Sequence, residues 1–288
     1  MRNNWLKRSW RLLADSFLHF IDYNGLKLSA ALSYYTVFSV APLLIVIISL
    51  AGIFFGKQAV EGRVYHQISG LVGSDAALQV QSIIGAIQQS NHGVAGGVIG
   101  FIVLIIGASG VFSEIQSSIN YLWLIPPPKT KGFLIAVIRK LISFSLLIVV
   151  AFLLMVSLMI NAVVDALSDR LKLLFNSSMV HVFYVVNIFV ILIIISFLFT
   201  LIFKILPNAI IRWRDAIIGA TITAVLFLFG KFAIGLYLGN SRIGITYGTA
   251  ASIVVLMLWV YYSSIILYFG ATYTSIYAAA RGHRIRAR

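Results

Sequence analysis

Residues 243–280 read IGITYGTAASIVVLMLWVYYSSIILYFGATYTSIYAAA, 38 consecutive positions without a charged side chain. A helix needs about 20 apolar residues to cross the roughly 30 Å hydrocarbon layer of a bilayer, whereas two crossings and a turn need more than about 40. The stretch therefore predicts one long or tilted transmembrane helix, at about 246–278. Working outward from it, five further segments meet the same criterion, at about 214–239, 180–205, 141–164, 94–122 and 28–56.

Composition agrees with a bilayer as the main solvent. Of 288 residues, 60% are hydrophobic and 10% charged, against roughly 25% charged in a soluble domain, whose surface needs that polar cover. The chain has no cysteine, which excludes a disulfide framework, a thiolate metal site and a cysteine nucleophile. Met1 to Trp10 carries basic residues and two tryptophans, without the short apolar core and small-residue site of a cleaved signal peptide, so the first apolar segment is expected to persist.

A net charge of +14 would point to nucleic acid if the cations formed one soluble patch. Instead they alternate with the spans. Sixteen of the 22 Lys and Arg fall before span 1, after span 2, around Pro207 and at the C-terminal end, while the alternate loops hold five (Lys57, Arg63, Arg170, Lys172, Arg242). The positive-inside bias then predicts both termini in the cytoplasm and no nucleic-acid partner.

The parts outside the spans are amphipathic. Over 4–21, Leu6, Trp10, Leu13, Phe17 and Phe20 recur at helical spacing, with Lys7, Arg8 and Arg11 on other faces. This pattern predicts an interfacial helix whose partners are membrane lipids, including anionic headgroups at the cytoplasmic face. Two apolar stripes in 58–90, Val60 to Leu71 and Ala76 to Ile87, predict an extracytoplasmic helical collar, either a gate or a simple cover for the bundle. Pro126, Pro127 and Pro128 end span 2. The expected fold class is all-α: a polytopic membrane protein with six transmembrane helices, forming a single membrane domain over 1–288.

Polar residues at depth must face protein or water rather than lipid. Ser109, Ser113, Gln116, Ser117 and Asn120 share one face of span 2 with Glu114 at its flank, and Ser29, Ser33 and Thr36 share a face of span 1. Two readings stand side by side, a polar vestibule opening inward and interhelical hydrogen-bond glue. Lys231 lies roughly 26 Å along span 5 and Glu114 about 30 Å along span 2 at 1.5 Å per residue, which puts both near interfaces. Asp165, at the outer end of span 3, is placed to pair with Lys231. His19, His66, His92, His181 and His283 are scattered without metal-ligand spacing, and no phosphate loop or Gly-x-Ser-x-Gly elbow occurs. No catalytic, metal or cofactor site is expected, nor ATP hydrolysis.

Five segments in register carry a resemblance: LSAALSYYTVFSVAPLL (28–44), GASGVFSEIQSSINYLW (107–123), RWRDAIIGA (212–220), Lys231, and ITYGTAASIVVLMLWVYYSSIILYFGA (245–271). Together the chain resembles the YihY/BrkB family of bacterial inner-membrane proteins. The resemblance implies a multi-pass protein of the inner membrane and suggests translocation of a lipid or lipid-linked glycan. Its ribonuclease BN-like label finds no metal-binding His/Asp cluster here. Family members often carry Glu after the final Gly-Ala, where this chain has Thr272. The expected function is a translocator of an envelope lipid or other amphiphilic or anionic substrate that does not hydrolyse ATP, with a non-transporting scaffold for envelope assembly as the alternative.

Overall fold

The computed structural model of the chain describes residues 2–39, 78, 110–126, 178–240 and 251–287. These residues are mostly helical. Helix α1 spans Arg2–Asp22, α2 covers 25–39 and α3 covers 110–122. Three longer helices follow: α4 Ser178–Ile205, α5 Trp213–Asn240 and α6 Ala251–Ala280. Two short strands, β1 Ala209–Ile210 and β2 Arg286–Ala287, pair antiparallel, with Ala209 opposite Ala287 and Ile210 opposite Arg286.

Helices α4, α5 and α6 each contain a stretch long and apolar enough to cross a bilayer: Ile188–Ile205, Trp213–Tyr237 and Ile253–Ala280, with mean hydropathies of 2.9, 2.1 and 2.0. They coincide with the fourth, fifth and sixth expected spans, and α6 is one unbroken helix as its charge-free sequence predicted. The first and second spans are described only over 28–39 and 110–122, and are helical there. The span at 141–164 and the collar at 58–90 lie outside the described residues, Leu78 excepted, which is helical. Phe189, Ile193 and Phe197 on α4 and Phe229, Phe232 and Leu236 on α5 are exposed. An all-round apolar helix with exposed aromatics suits a lipid surround.

α4 packs on α5, α5 on α6, and α1 across α6. Lipid tails are as apolar as leucine, so helices in a membrane gain little from burying apolar surface and associate by close packing. The α5–α6 contact shows how this is achieved. A β-carbon on Gly219 would run into Thr274, and one on Gly270 would run into Thr223. Each helix thus offers a glycine that receives the other's threonine, four residues from its own. Both threonines are fully buried and return their hydroxyl protons to their own helix, Thr223 to the Gly219 carbonyl at 2.8 Å and Thr274 to the Gly270 carbonyl at 2.7 Å. Ala216, Ala220, Ala224 and Ala271, all fully buried, extend the small-residue seam. Ser196 of α4 and Thr221 of α5 share a hydroxyl contact of 2.9 Å.

Three helix ends turn through left-handed residues: Asn24 (φ 54), Leu124 (φ 55) and Gly282 (φ 77). At α3, Leu124 N–H donates to Tyr121 and Ile125 N–H to Asn120. At α6, Gly282 N–H donates to Ala279 and His283 N–H to Ala278. Both patterns are Schellman closures, which satisfy the last helix carbonyls and reverse the chain. Glycine is the usual residue at this position, and leucine there carries a β-carbon penalty.

Two outcomes follow for the purified chain. Gly219→Ala is expected to destabilise it by about 1–3 kcal/mol, read as a lower unfolding midpoint in detergent. Adding Thr274→Ala should recover part of the loss, and strictly additive effects would contradict the interlock. Gly282→Ala is expected to cost about 1 kcal/mol and Leu124→Gly to gain a similar amount, so that the two substitutions shift the midpoint in opposite directions.

Candidate functional site at the basic end of the bundle

The segments expected to be cation-rich and cytoplasmic meet, as far as they are described, at one end of the helices. α1 lies there. Arg8 donates to the Ala280 carbonyl at 3.1 Å, a cation on the negative C-terminal end of α6. His19 Nε2 lies 3.0 Å from the Leu122 carbonyl at the end of α3, and Phe20, 2% exposed, packs edge-on against Phe269. Gly25 is required where α2 begins, because a β-carbon would overlap the Phe20 ring. Beyond α3, the indole of Trp123 donates to the Ala271 carbonyl at 2.7 Å.

The turn between α4 and α5 is held from three sides. Gln116 donates through Nε2 to the Leu206 carbonyl at 2.6 Å, one of the acceptors left over at a helix C-terminus. Asn120 Oδ1 accepts the Asn208 N–H at 2.9 Å. Lys204 donates to the Ile211 carbonyl and lies 5.2 Å from the Trp213 ring centroid.

The turn leads into a relay of three side chains, Arg212, His283 and Asp215, of which the carboxylate alone is buried. The Arg212 carbonyl accepts the N–H groups of Asp215 and Ala216, which makes Arg212 the N-cap of α5 and places the Asp215 carboxylate in the first turn, at the positive end of the helix. Asp215 is 1% exposed. His283 reaches its Oδ2 through Nδ1 at 3.2 Å, and Arg212 reaches the His283 Nε2 at 2.6 Å. Arginine can only donate, so Nε2 accepts and Nδ1 carries the proton. The imidazole thus bridges the Asp215 carboxylate and the Arg212 guanidinium. The relay floors a cleft of about 420 Å³ lined by Ile210, Ile211, Arg212, Asp215 and Gly282 to Arg286. The β1–β2 pairing holds its two walls together.

The residues expected to form a polar vestibule divide into groups. Ser29, Ser33 and Thr36 donate to carbonyls of α2 itself, those of Gly25, Ala30 and Leu32. Gln116 and Asn120 clamp the 206–208 turn. Ser113 and Ser117 are exposed, and Ser117 donates to the Ser113 carbonyl at 2.8 Å. Glu114, half-buried, accepts from Ser118 at 3.0 Å. Ser109 and Asp165 lie outside the described residues, and Lys231, the other member of the expected pair, is half-buried.

Sequence reasoning missed two features. The Asp215–His283 contact joins residues 68 positions apart, though Asp215 in a first helical turn and Gly282 after the last apolar residue were visible signals. The second is Tyr268. It is fully buried, and its hydroxyl faces Ser118 at the limit of hydrogen-bonding geometry, with Glu114 nearby. Among the described residues no three His, Asp or Glu side chains cluster to hold a metal.

Basic cleft, capped helix ends and long apolar helices together define an integral membrane protein, and comparison places it more narrowly. The virulence factor BrkB family matches residues 16–288, and the chain belongs to that family. Among curated relatives, a UPF0761 membrane protein of Stenotrophomonas maltophilia (strain K279a) is 28% identical over 99% of this chain and 66% of its own length. One of Verminephrobacter eiseniae (strain EF01-2) is 26% identical over 88% of this chain and 58% of its own, and one of Tolumonas auensis is 37% identical over 26% and 25%. The chain thus spans about two thirds or less of the length of these relatives. No solved structure matches it.

The clamp can be separated from the exposed serines by substitution. Gln116→Leu and Asn120→Leu strand a backbone partner and are each expected to cost about 1–3 kcal/mol. Ser113→Leu and Ser117→Leu are expected to leave the unfolding midpoint of the detergent-purified chain unchanged. A loss at the serines as large as that at Gln116 would refute the division.

Proposed function

We propose that this chain is a six-span protein of the bacterial inner membrane, with both termini cytoplasmic, that moves an anionic amphiphile such as an envelope lipid across the bilayer without hydrolysing ATP. The observation that carries this reading is the sealed polar group between α3 and α6. Tyr268 keeps its hydroxyl buried beside Ser118 and Glu114, with no hydrogen bond of ordinary geometry. A buried hydroxyl that is only weakly met costs free energy, and ionisable residues within transmembrane bundles mark substrate and ion pathways. A bundle that served only for packing has no use for that cost, since phenylalanine fills the same volume.

In this reading the inward vestibule is lined by Ser113, Glu114 and Ser117, with Tyr268 at its closed end and Gln116 and Asn120 fixing its rim. Ser29, Ser33, Thr36 and Ser109 belong to its helical walls, and an Asp165–Lys231 pair marks the opposite interface. The collar over 58–90 covers that opposite side. The family match and the curated relatives support a membrane protein, and the step from there to translocation is ours.

The alternative, a scaffold that holds envelope assembly partners without moving anything, is favoured by the back-bonded hydroxyls of α2. Reconstitution distinguishes the two. In proteoliposomes carrying a fluorescent phosphatidylglycerol, the wild-type chain is expected to expose the label to an external quencher faster than empty vesicles do. Tyr268→Phe is expected to unfold at a higher temperature yet to move lipid roughly tenfold more slowly, a loss equivalent to about 1.4 kcal/mol in the barrier. Label movement no faster than in empty vesicles, or full activity in Tyr268→Phe, would remove the basis for translocation.

A further inference from the structure

The cleft between the α4–α5 turn and the C-terminal segment is built from groups that the translocation reading does not use. Its lining includes Arg212, Arg284 and Arg286 around a volume of about 420 Å³, within the roughly 300–1,000 Å³ of small-molecule sites. The one carboxylate there, Asp215, is sealed and already holds the His283 Nδ1–H. Its charge is also met by the first turn of α5, so it does little to offset the cations at the mouth.

Other cations at this end of the molecule have distinct occupations. Lys204 serves the Ile211 carbonyl and the Trp213 ring, Arg281 lies 4.8 Å from Tyr277, and Arg8 caps α6. Arg212 spends one N–H on His283 and has further donors in its planar fork. Three arginines thus line one half-open cleft and give it a positive mouth. Their fork geometry matches phosphate oxygens, to which arginine donates in pairs. Ile210 and Ile285 supply apolar lining, and Ile210 and the neighbouring Trp213 are both more than half exposed. The cleft therefore suits a phosphate attached to a less polar body.

We infer that this cleft is a binding site for a phosphate group, with Arg284 and Arg286 as its principal ligands and Arg212 held ready by the Asp215–His283 relay. The phosphate belongs either to a phospholipid headgroup of the adjoining leaflet or to a soluble phosphate compound. The relay gives the site its shape: His283 follows the left-handed Gly282, so the turn that ends α6 also aims Arg212. The site stands on its own residues and holds whether or not the chain moves lipid.

The test uses the full chain in a zwitterionic detergent, titrated in separate arms with inorganic phosphate and with short-chain phosphatidylglycerol, and followed by the unfolding midpoint and by phosphorus-31 line broadening. Saturable binding is expected in at least one arm. A response to inorganic phosphate assigns a soluble source, and a response to the lipid alone assigns the headgroup. Arg284→Gln with Arg286→Gln is expected to weaken binding at least roughly tenfold, as the loss of charged hydrogen bonds implies, while its midpoint without ligand matches that of wild type. The charge-matched pair Lys7→Gln with Arg11→Gln, exposed on α1, is expected to bind as wild type. Gly282→Ala should weaken binding through the displaced relay. No saturable binding in either arm, or equal weakening by the α1 pair, would overturn the assignment.

Discussion

The reciprocal seating of Thr274 against Gly219 and Thr223 against Gly270 is the constraint on which the rest of this end of the molecule depends. In water, helices can be driven together loosely by apolar burial and still gain. In lipid that gain is nearly absent, and attraction comes from contact at short range. Two helices whose backbones approach this closely have one axial register, because each threonine fits only where its opposite number is glycine. That register decides what meets at the basic end. Asp215 lies four residues before Gly219 and His283 nine residues after Thr274, and the α6 closure at Gly282 spends those nine residues on a helix end and a reversal.

Hydroxyl chemistry within the helices follows one economy. Ser29, Thr36, Thr223, Ser264, Thr272 and Thr274 each donate to the carbonyl four residues back. This removes a polar proton from the lipid phase and leaves a smooth, small surface for the neighbouring helix. Thr272 shows the consequence most directly, because at this fully buried position the resemblance to the family leads one to expect a carboxylate, and the chain has a self-satisfied hydroxyl. Tyr268, whose carbonyl receives the Thr272 proton, cannot use the same solution. Its hydroxyl stands at the end of a rigid ring, out of reach of its own backbone.

Much of the architecture was legible because the bilayer reduces the problem to length and charge. The fourth to sixth spans were found from apolar run length alone, and the helical character of 4–21 from the recurrence of Leu13, Phe17 and Phe20. The family was readable from four short segments and one lysine in register. The site was less legible for a definite reason. Helical spacing says which residues share a face and is silent on what that face meets. Gln116 and Asn120 sat correctly on one stripe with Ser113 and Ser117, yet the first pair grips the 206–208 turn and the second pair does not. His283 looked like one of several scattered histidines because its partner is 68 residues away, and only the closure at Gly282 brings the two together.

The lengths of α5 and α6 carry a consequence of a different kind. At 28 and 30 residues they measure about 42 and 45 Å, well beyond the roughly 30 Å of hydrocarbon. A pair keyed by glycine and threonine cannot shorten by sliding, since a slip of one turn would set each threonine against bulk. Length beyond the hydrocarbon is met by ends that reach into the headgroup layer, by leaning the two helices together or by thicker lipid around them. Because the pair is keyed, any lean it takes is shared by both helices and carries the arginine-lined cleft with it.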